Sequence, residues 1–320
     1  MSNKPQISVI MSFYNTEKYI EEAIKSVISQ NFTDFELILI NDCSNDNSLN
    51  IANKYVKLDS RIKLVDSPNN LGPACARNLG IKISCGKYIA IFDADDICMV
   101  NRLRIQFDFL EKNKNIFLVG GSFIHIEENG KIIDKTIYKL NFNQLLIKLR
   151  SSIPVVNSTV MFRNSGYLYR EKLLHAEDYD LWLRMITDGK KLEVLENVLI
   201  YCRIHSGSIS NQDRRGQKKY IKLVQKLFKE RIKTGHDSYS SIEPILMPYS
   251  KNINNSEKLV ALKKLKMLFK NSSDMVYFRK ELFIFIKKYG FFSWKVFIIY
   301  YIISFTSEFF RKYFKKIIWG

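Results

Sequence analysis

Gly86-Lys87-Tyr88-Ile89-Ala90-Ile91-Phe92-Asp93-Ala94-Asp95-Asp96 decides the fold. A turn glycine leads through a short, mostly apolar run into three carboxylates. Such a run reads as a buried strand, and its abrupt end places the acids at the strand's carboxyl edge. In open α/β sheets that edge is where ligands bind. Asp93 and Asp95 alternate along an extended backbone with a small alanine between them. That spacing suits one hard cation, or a cation together with a sugar. Taken alone, the same residues also describe a solvated acidic loop capping the next helix, so the neighbouring segments must decide.

Working outward, Ile7 to Ser12, Phe35 to Ile40 and Ile62 to Val65 are further strand-like runs. Between them, Glu17 to about Gln30 carries Tyr19, Ile20, Ala23, Ile24, Val27 and Ile28 at helical spacing, and Ala74 to Cys85 forms another helix. Strand–helix alternation repeated four times implies a parallel sheet with helices on both faces. Polar clusters close three of these strands, so Tyr14-Asn15, Asp42 and Asp93/Asp95 are predicted to gather on one rim. Downstream, Arg102 to Asn113 reads as a helix. Ile116 to Val119 and Ser122 to Ile126 read as two strands, with a hairpin turn at Glu128-Asn129-Gly130-Lys131. A strand at Ser158 to Phe162, a helix from Tyr179 to Thr187 and a last strand at Leu199 to Arg203 follow. Beyond about residue 213 the pattern changes to Lys-rich helices, which gives two expected domains, 1–213 and 214–320.

The 320 residues are 46% hydrophobic and 26% charged, a globular balance that excludes a disordered chain or a polytopic membrane protein. The net charge of +18 is unevenly placed: residues 217–320 carry +15 and residues 1–216 carry +3. A near-neutral front with a basic rear suggests a catalytic unit followed by a surface-seeking segment. Five cysteines without Cys-x-x-Cys spacing fit reduced thiols in the cytoplasm. The first residues lead straight into a strand with no signal-peptide pattern, so a cytoplasmic location is expected.

Five motifs in order carry a resemblance: Ile7 to Asn15, Asn41-Asp42, Asn70-Leu71-Gly72 with Ala76-Arg77-Asn78-Leu79-Gly80, Asp93-Ala94-Asp95-Asp96, and Glu177-Asp178-Tyr179-Asp180-Leu181-Trp182. Over about residues 5–210 the chain resembles the family 2 glycosyltransferases of the GT-A fold. The resemblance implies an α/β, Rossmann-like, mostly parallel central sheet with helices on both faces, followed here by a helical C-terminal region. It also implies an inverting transfer of a sugar from a nucleotide donor, UDP-linked, to a lipid-linked or growing glycan acceptor in surface polysaccharide synthesis.

The resemblance implies roles for particular residues. Asp42 would accept a hydrogen bond from the uracil ring, although the family's Asp-Asp-Gly-Ser is Asn41-Asp42-Cys43-Ser44 here, without the turn glycine. Tyr14 could pack against the base or cover the sheet end. Asp95 would hold Mn²⁺ or Mg²⁺, and Asp93 would reach the ribose or sugar; oxygen ligands and open positions for diphosphate suit these ions. Arg77 could contact phosphate or pair with the sheet-end acids. Asp178 would be the general base that takes the acceptor's proton, with Glu177 its nearest competitor; plain helix capping is the other reading. His205, in a segment similar to the family's Tyr-Arg-x-His with shifted spacing, would complete the metal shell or sit in a loop without one.

At the rear, Val296 to Ser307 is an uncharged run too short for a routine membrane span. At about 100° per residue, Phe309, Phe310, Tyr313, Phe314, Ile317 and Ile318 fall on one half of a helix, and Arg311, Lys312, Lys315 and Lys316 on the other. That pattern fits an anionic membrane surface, and hence a peripheral place on the inner face of the cell membrane, or a helix docked on the catalytic domain; a single span including Phe291 and Trp294 is a third reading, with Lys295 against it. Two rival functions remain open at this level. A nucleotidyltransferase would use the same rim. Nucleic-acid binding is disfavoured, because the charge is confined to the rear and no nucleic-acid motif is present.

Overall fold

The computed structural model of the protein describes residues 4–149, 153–208, 214–242, 260–262, 264–265, 267–268 and 275–289. Strands β1 (Ile7–Phe13), β2 (Phe35–Asn41), β3 (Ile62–Asp66) and β4 (Tyr88–Ile91) alternate with helices α1 (Ile20–Ile28), α2 (Ser48–Leu58) and α3 (Pro73–Ile83). Then come β5 (Ile97–Cys98), α4 (Arg102–Lys112), β6 (Ile116–Ile126), β7 (Ile132–Thr136) and α5 (Phe142–Leu149). The remaining elements are β8 (Met161–Arg163), α6 (Glu177–Thr187), β9 (Lys191–Arg203), α7 (Arg214–Thr234) and α8 (Met275–Tyr289).

The sheet order is β3-β2-β1-β4-β8-β6-β9-β5, with β7 paired to β6. β1 runs parallel to both β2 and β4, and β2 runs parallel to β3. β8 extends this core antiparallel to β4 and β6, and β5 pairs antiparallel with β9. After β3 the chain returns to the far side of β1, so the strand order reverses between β1 and β4. The crevice at such a reversal, beyond the carboxyl ends of the strands, is the ligand position of open α/β sheets.

Alternation along the strands feeds two cores. Ile7, Val9, Met11 and Phe13 of β1 join Ile20, Ile24 and Val27 of α1 on one face. Ile10 joins Ile38, Ile40, Ile89, Ile91, Ala76 of α3 and Trp182 of α6 on the other. Burial on both faces explains why these strands are nearly unbroken apolar runs in the sequence.

Two differences from the sequence reading have local causes. Residues 116–126 form one strand, not two, because Gly120-Gly121 stays in the ladder. A Cβ at Gly121 would lie 2.3 Å from Leu199 Cδ1, so glycine is what lets β9 lie there. Helix α6 begins at Glu177, two residues before the expected Tyr179, which brings both acids into its first turn.

The chain forms two compact units. The first comprises Met1–Ile124, Thr136–Arg203 and Arg214–Pro248. Residues beyond the expected boundary at 213 therefore group with it, since Tyr220, Val224 and Leu227 of α7 bury in the same cluster as Tyr179 and Leu183 of α6. The second comprises His125–Lys135, Ile204–Asp213 and Tyr249–Gly320, and its core includes Ile133, Ile204, Leu265, Phe278, Leu282 and Phe285. A cavity of about 450 Å³ in this unit is lined in part by Ile133, Ile204, Lys264 and Phe285. Among the described residues no helix is long and apolar enough to cross a membrane. The aromatic and cationic helix expected over residues 309–318 lies outside the described residues.

Candidate functional site

The rim at the β1/β2/β4 carboxyl ends is built by three loops. After β1, Tyr14 is 44% exposed and Asn15 adopts a φ of 52°. Asn15 Oδ1 accepts from Asn45 N at 2.9 Å, and Asn15 N donates to Ser44 Oγ at 3.0 Å. These bonds stitch the β1 loop to the β2 loop, where Asp42 is buried. Asp42 Oδ1 accepts from Leu71 N at 2.7 Å and Oδ2 from Gly72 N at 2.9 Å, just ahead of α3. Burial nevertheless pushes its carboxyl above the usual range, against those two bonds. Cys43 holds φ at 64°, so the backbone keeps the left-handed turn without the glycine.

Arg77 of α3 ties the acidic segment after β4 to α6. Its Nη2 donates to Asp93 Oδ1 and its Nη1 to Glu177 Oε1, each at 3.0 Å. Its guanidinium lies 5.7 Å from the Tyr169 ring centre. Burial alone would lower the Arg77 pKa, but Asp93 and Glu177 more than reverse that and hold it above its ordinary value. The two readings of Arg77 thus meet a definite observation: it pairs with a sheet-end acid, and with Glu177 as well. Arg77 Nε and Glu177 Oε2 are buried and lack hydrogen-bond partners among the described residues.

Asp178, in the first turn of α6, is not the helix cap. That position is Ala176, which makes no side-chain capping bond. Asp178 Oδ1 accepts from the adjacent Tyr179 N at 2.7 Å. Burial first, and then the Glu177 charge, push its pKa from 3.8 to about 7, against the Tyr179 N–H and Arg77. A carboxylate titrating there is matched to taking a proton near neutral pH.

The acids after β4 sit under electrostatic stress. Asp96 is buried, and burial together with the Asp95 and Asp93 charges raises its pKa well above the ordinary value. Asp93 is raised by burial, with Arg77 opposing. A divalent cation would relieve this, and carboxylate oxygens such as those of Asp93 and Asp95 are the ligand type that suits Mg²⁺ or Mn²⁺. Among the described residues, no three His, Cys, Asp or Glu side chains are grouped to hold a metal unaided. Phosphate oxygens from a ligand would have to supply the rest.

His205 falls in the second unit, buried just beyond β9, with its carbonyl accepting from Ser208 N at 3.3 Å. Trp182 is fully buried in the core. The structure also brings in residues that no sequence pattern singles out. Ser158 Oγ accepts from Asp93 N at 3.1 Å, and Tyr169 O–H donates to Asn157 Oδ1 at 2.8 Å. Arg203 bonds the acidic loop directly. The only signal for Arg203 was its place in the strand motif before His205.

The description "Glycosyl transferase family 2" matches residues 8–170. The chain is 35% identical over 208 residues to an uncharacterised glycosyltransferase, MJ1057, of Methanocaldococcus jannaschii, covering 63% of this chain and 72% of that one. It is 29% identical over 218 residues to a Bacillus subtilis protein named for teichuronic acid biosynthesis, the glycosyltransferase TuaG, covering 68% and 86%. In three dimensions it is similar to S. aureus TarS 1-349 in complex with UDP-GlcNAc. The TM-score is 0.58 at 19% identity, over 88% of this chain and 81% of that one.

Proposed function

The chain belongs to glycosyl transferase family 2 and is a glycosyltransferase, and from that premise we propose that it transfers a sugar from a UDP-linked donor with inversion. The observation that carries the proposal is the Arg77 clamp. It joins the acid-bearing end of β4 to the first turn of α6, where Asp178 is poised as a base near neutral pH.

In this reading Asp178 accepts the proton of the acceptor hydroxyl as its oxygen bonds to the anomeric carbon. The bond from that carbon to the diphosphate oxygen breaks on the opposite face, and its electron pair leaves with UDP. Asp95 would hold Mn²⁺ or Mg²⁺, and Asp93 would reach the donor's sugar. The cation, when bound, offsets charge on the diphosphate. Asp42 and Tyr14 flank the place for the base.

The donor assignment is supported by the fold shared with a protein crystallised with UDP-GlcNAc. A glycan acceptor in surface polysaccharide synthesis is supported by the similarity to TuaG, a glycosyltransferase named for teichuronic acid biosynthesis. Contact with an anionic membrane is supported by the +15 charge of residues 217–320. A screen of nucleotide sugars with Mn²⁺ tests the proposal. It expects UDP release, stimulated by envelope glycans, from one donor class, and loss of that release in Asp95→Asn. Release of pyrophosphate instead of UDP would overturn it.

A further inference from the structure

Arg203 ends β9 beside the acidic loop, and the ladder explains why. β5 pairs antiparallel with β9, Ile97 opposite Tyr201 and Cys98 opposite Ile200. Continued by two residues, that register sets Arg203 against Asp95. There the ladder gives way to side-chain bonds. Arg203 N donates to Asp96 Oδ1 at 2.9 Å, and Nε donates to the Asp95 carbonyl at 2.9 Å. Nη2 reaches Glu22 Oε2 of α1 at 2.6 Å, and the guanidinium lies 5.1 Å from the Tyr19 ring centre. Its side chain is 3% exposed, whereas that of Glu22 is 57% exposed.

A buried arginine needs compensation for lost hydration. Part of it comes from the Asp95 carbonyl, which accepts from Nε, and part from Glu22. Arg77 grips Asp93 from α3, while from β9 the Arg203 side chain holds the Asp95 carbonyl and the Arg203 backbone N–H holds Asp96. The loop is therefore fixed at its carbonyl and at Asp96, on either side of the Asp95 carboxylate.

We propose that Arg203 is a positioning residue for the cation site: it sets the orientation of Asp95 by holding that residue's backbone. This rests on the reading of Asp95 as the cation ligand. Outer partners that orient a ligand commonly change metal affinity about 10–100-fold when removed. Lysine keeps the charge but cannot reproduce a fork that bonds Asp95 and Glu22 together.

The test is direct Mn²⁺ binding in the presence of UDP, read by electron paramagnetic resonance of free Mn²⁺, with no turnover required. Arg203→Lys and Arg203→Ala should weaken Mn²⁺ binding about 10-fold or more. Glu22→Gln, which cuts only the outer tether, should weaken it by less. Circular dichroism and melting curves should show folded protein throughout. Wild-type binding that Asp95→Asn abolishes and both Arg203 variants leave unchanged would overturn the role of Arg203 alone. Absence of Mn²⁺ binding in the wild type would overturn the cation reading and this role with it. Loss of fold in both arginine variants would make the residue structural and also overturn the proposal.

Discussion

Replacing Asp178 by Asn should separate stability from catalysis in opposite directions. In the folded chain the Asp178 pKa stands at about 7 against an ordinary 3.8, because burial and the Glu177 charge disfavour its ionised form. A raised carboxylate contributes stability that is fully present below the unfolded pKa. That contribution is lost as pH rises from about 4 through about 7. At ~1.4 kcal/mol per pH unit the gap amounts to about 4 kcal/mol. Asp178 is half-buried and shares its field with Glu177, so about 2 kcal/mol is the working figure. The amide carries no charge, and its oxygen can still accept from Tyr179 N. Denaturant melts at pH 8.5 should therefore find Asp178→Asn more stable than wild type by about 2 kcal/mol, with the difference vanishing near pH 4. In parallel, UDP binding should persist while transfer falls by about 10²–10⁴-fold. Wild-type transfer should rise with pH through about 7 as the base ionises. A variant less stable than wild type at pH 8.5, by an amount independent of pH, would refute the electrostatic reasoning; undiminished transfer would remove Asp178 as the base.

Arg77→Met leaves the Glu177 and Asp93 carboxylates without their cation and should cost about 3–5 kcal/mol in melts at pH 7.5. The deficit should shrink as pH falls and Asp93, whose carboxyl burial raises, protonates; a pH-independent loss would point to packing alone. Cys43→Gly should raise stability by about 1 kcal/mol in denaturant titrations, since the φ of 64° is strained for cysteine; a loss would mean the Sγ contact to the Pro68 carbonyl matters more. Gly80→Ala should destabilise by about 1–3 kcal/mol, because the new Cβ would lie 2.6 Å from buried Ile10 Cγ2; an unchanged melting point would show that Ile10 yields freely.

Much of the fold was legible because period and punctuation agree in the front half. The apolar runs at Ile7, Phe35 and Tyr88 are strands buried on both faces, and each ends abruptly in polar residues at the rim. The rim itself followed from those ends. The clamp did not, because Arg77 and Glu177 are a hundred residues apart and no local pattern links them. Their pairing comes from α3 and α6 packing on the same face of the sheet. The short strand β5 was invisible for a similar reason: two residues carry no periodicity, and only β9 makes them a strand. The Gly120-Gly121 pair read as a break, whereas in the fold it is where β9 comes close. The position of α7 was also hidden, since its Lys-rich sequence obscures the Tyr220, Val224 and Leu227 stripe that buries it.

The central claim is single-displacement transfer assisted by Asp178, and it is tested most directly by the anomeric configuration of the product. With the donor and acceptor found in the nucleotide-sugar screen, the one-bond carbon–proton coupling at the transferred anomeric centre distinguishes the two outcomes. An α-linked UDP-sugar should give a β-linked product, and Asp178→Asn should give none. An α-linked product would contradict an in-line attack with Asp178 as base.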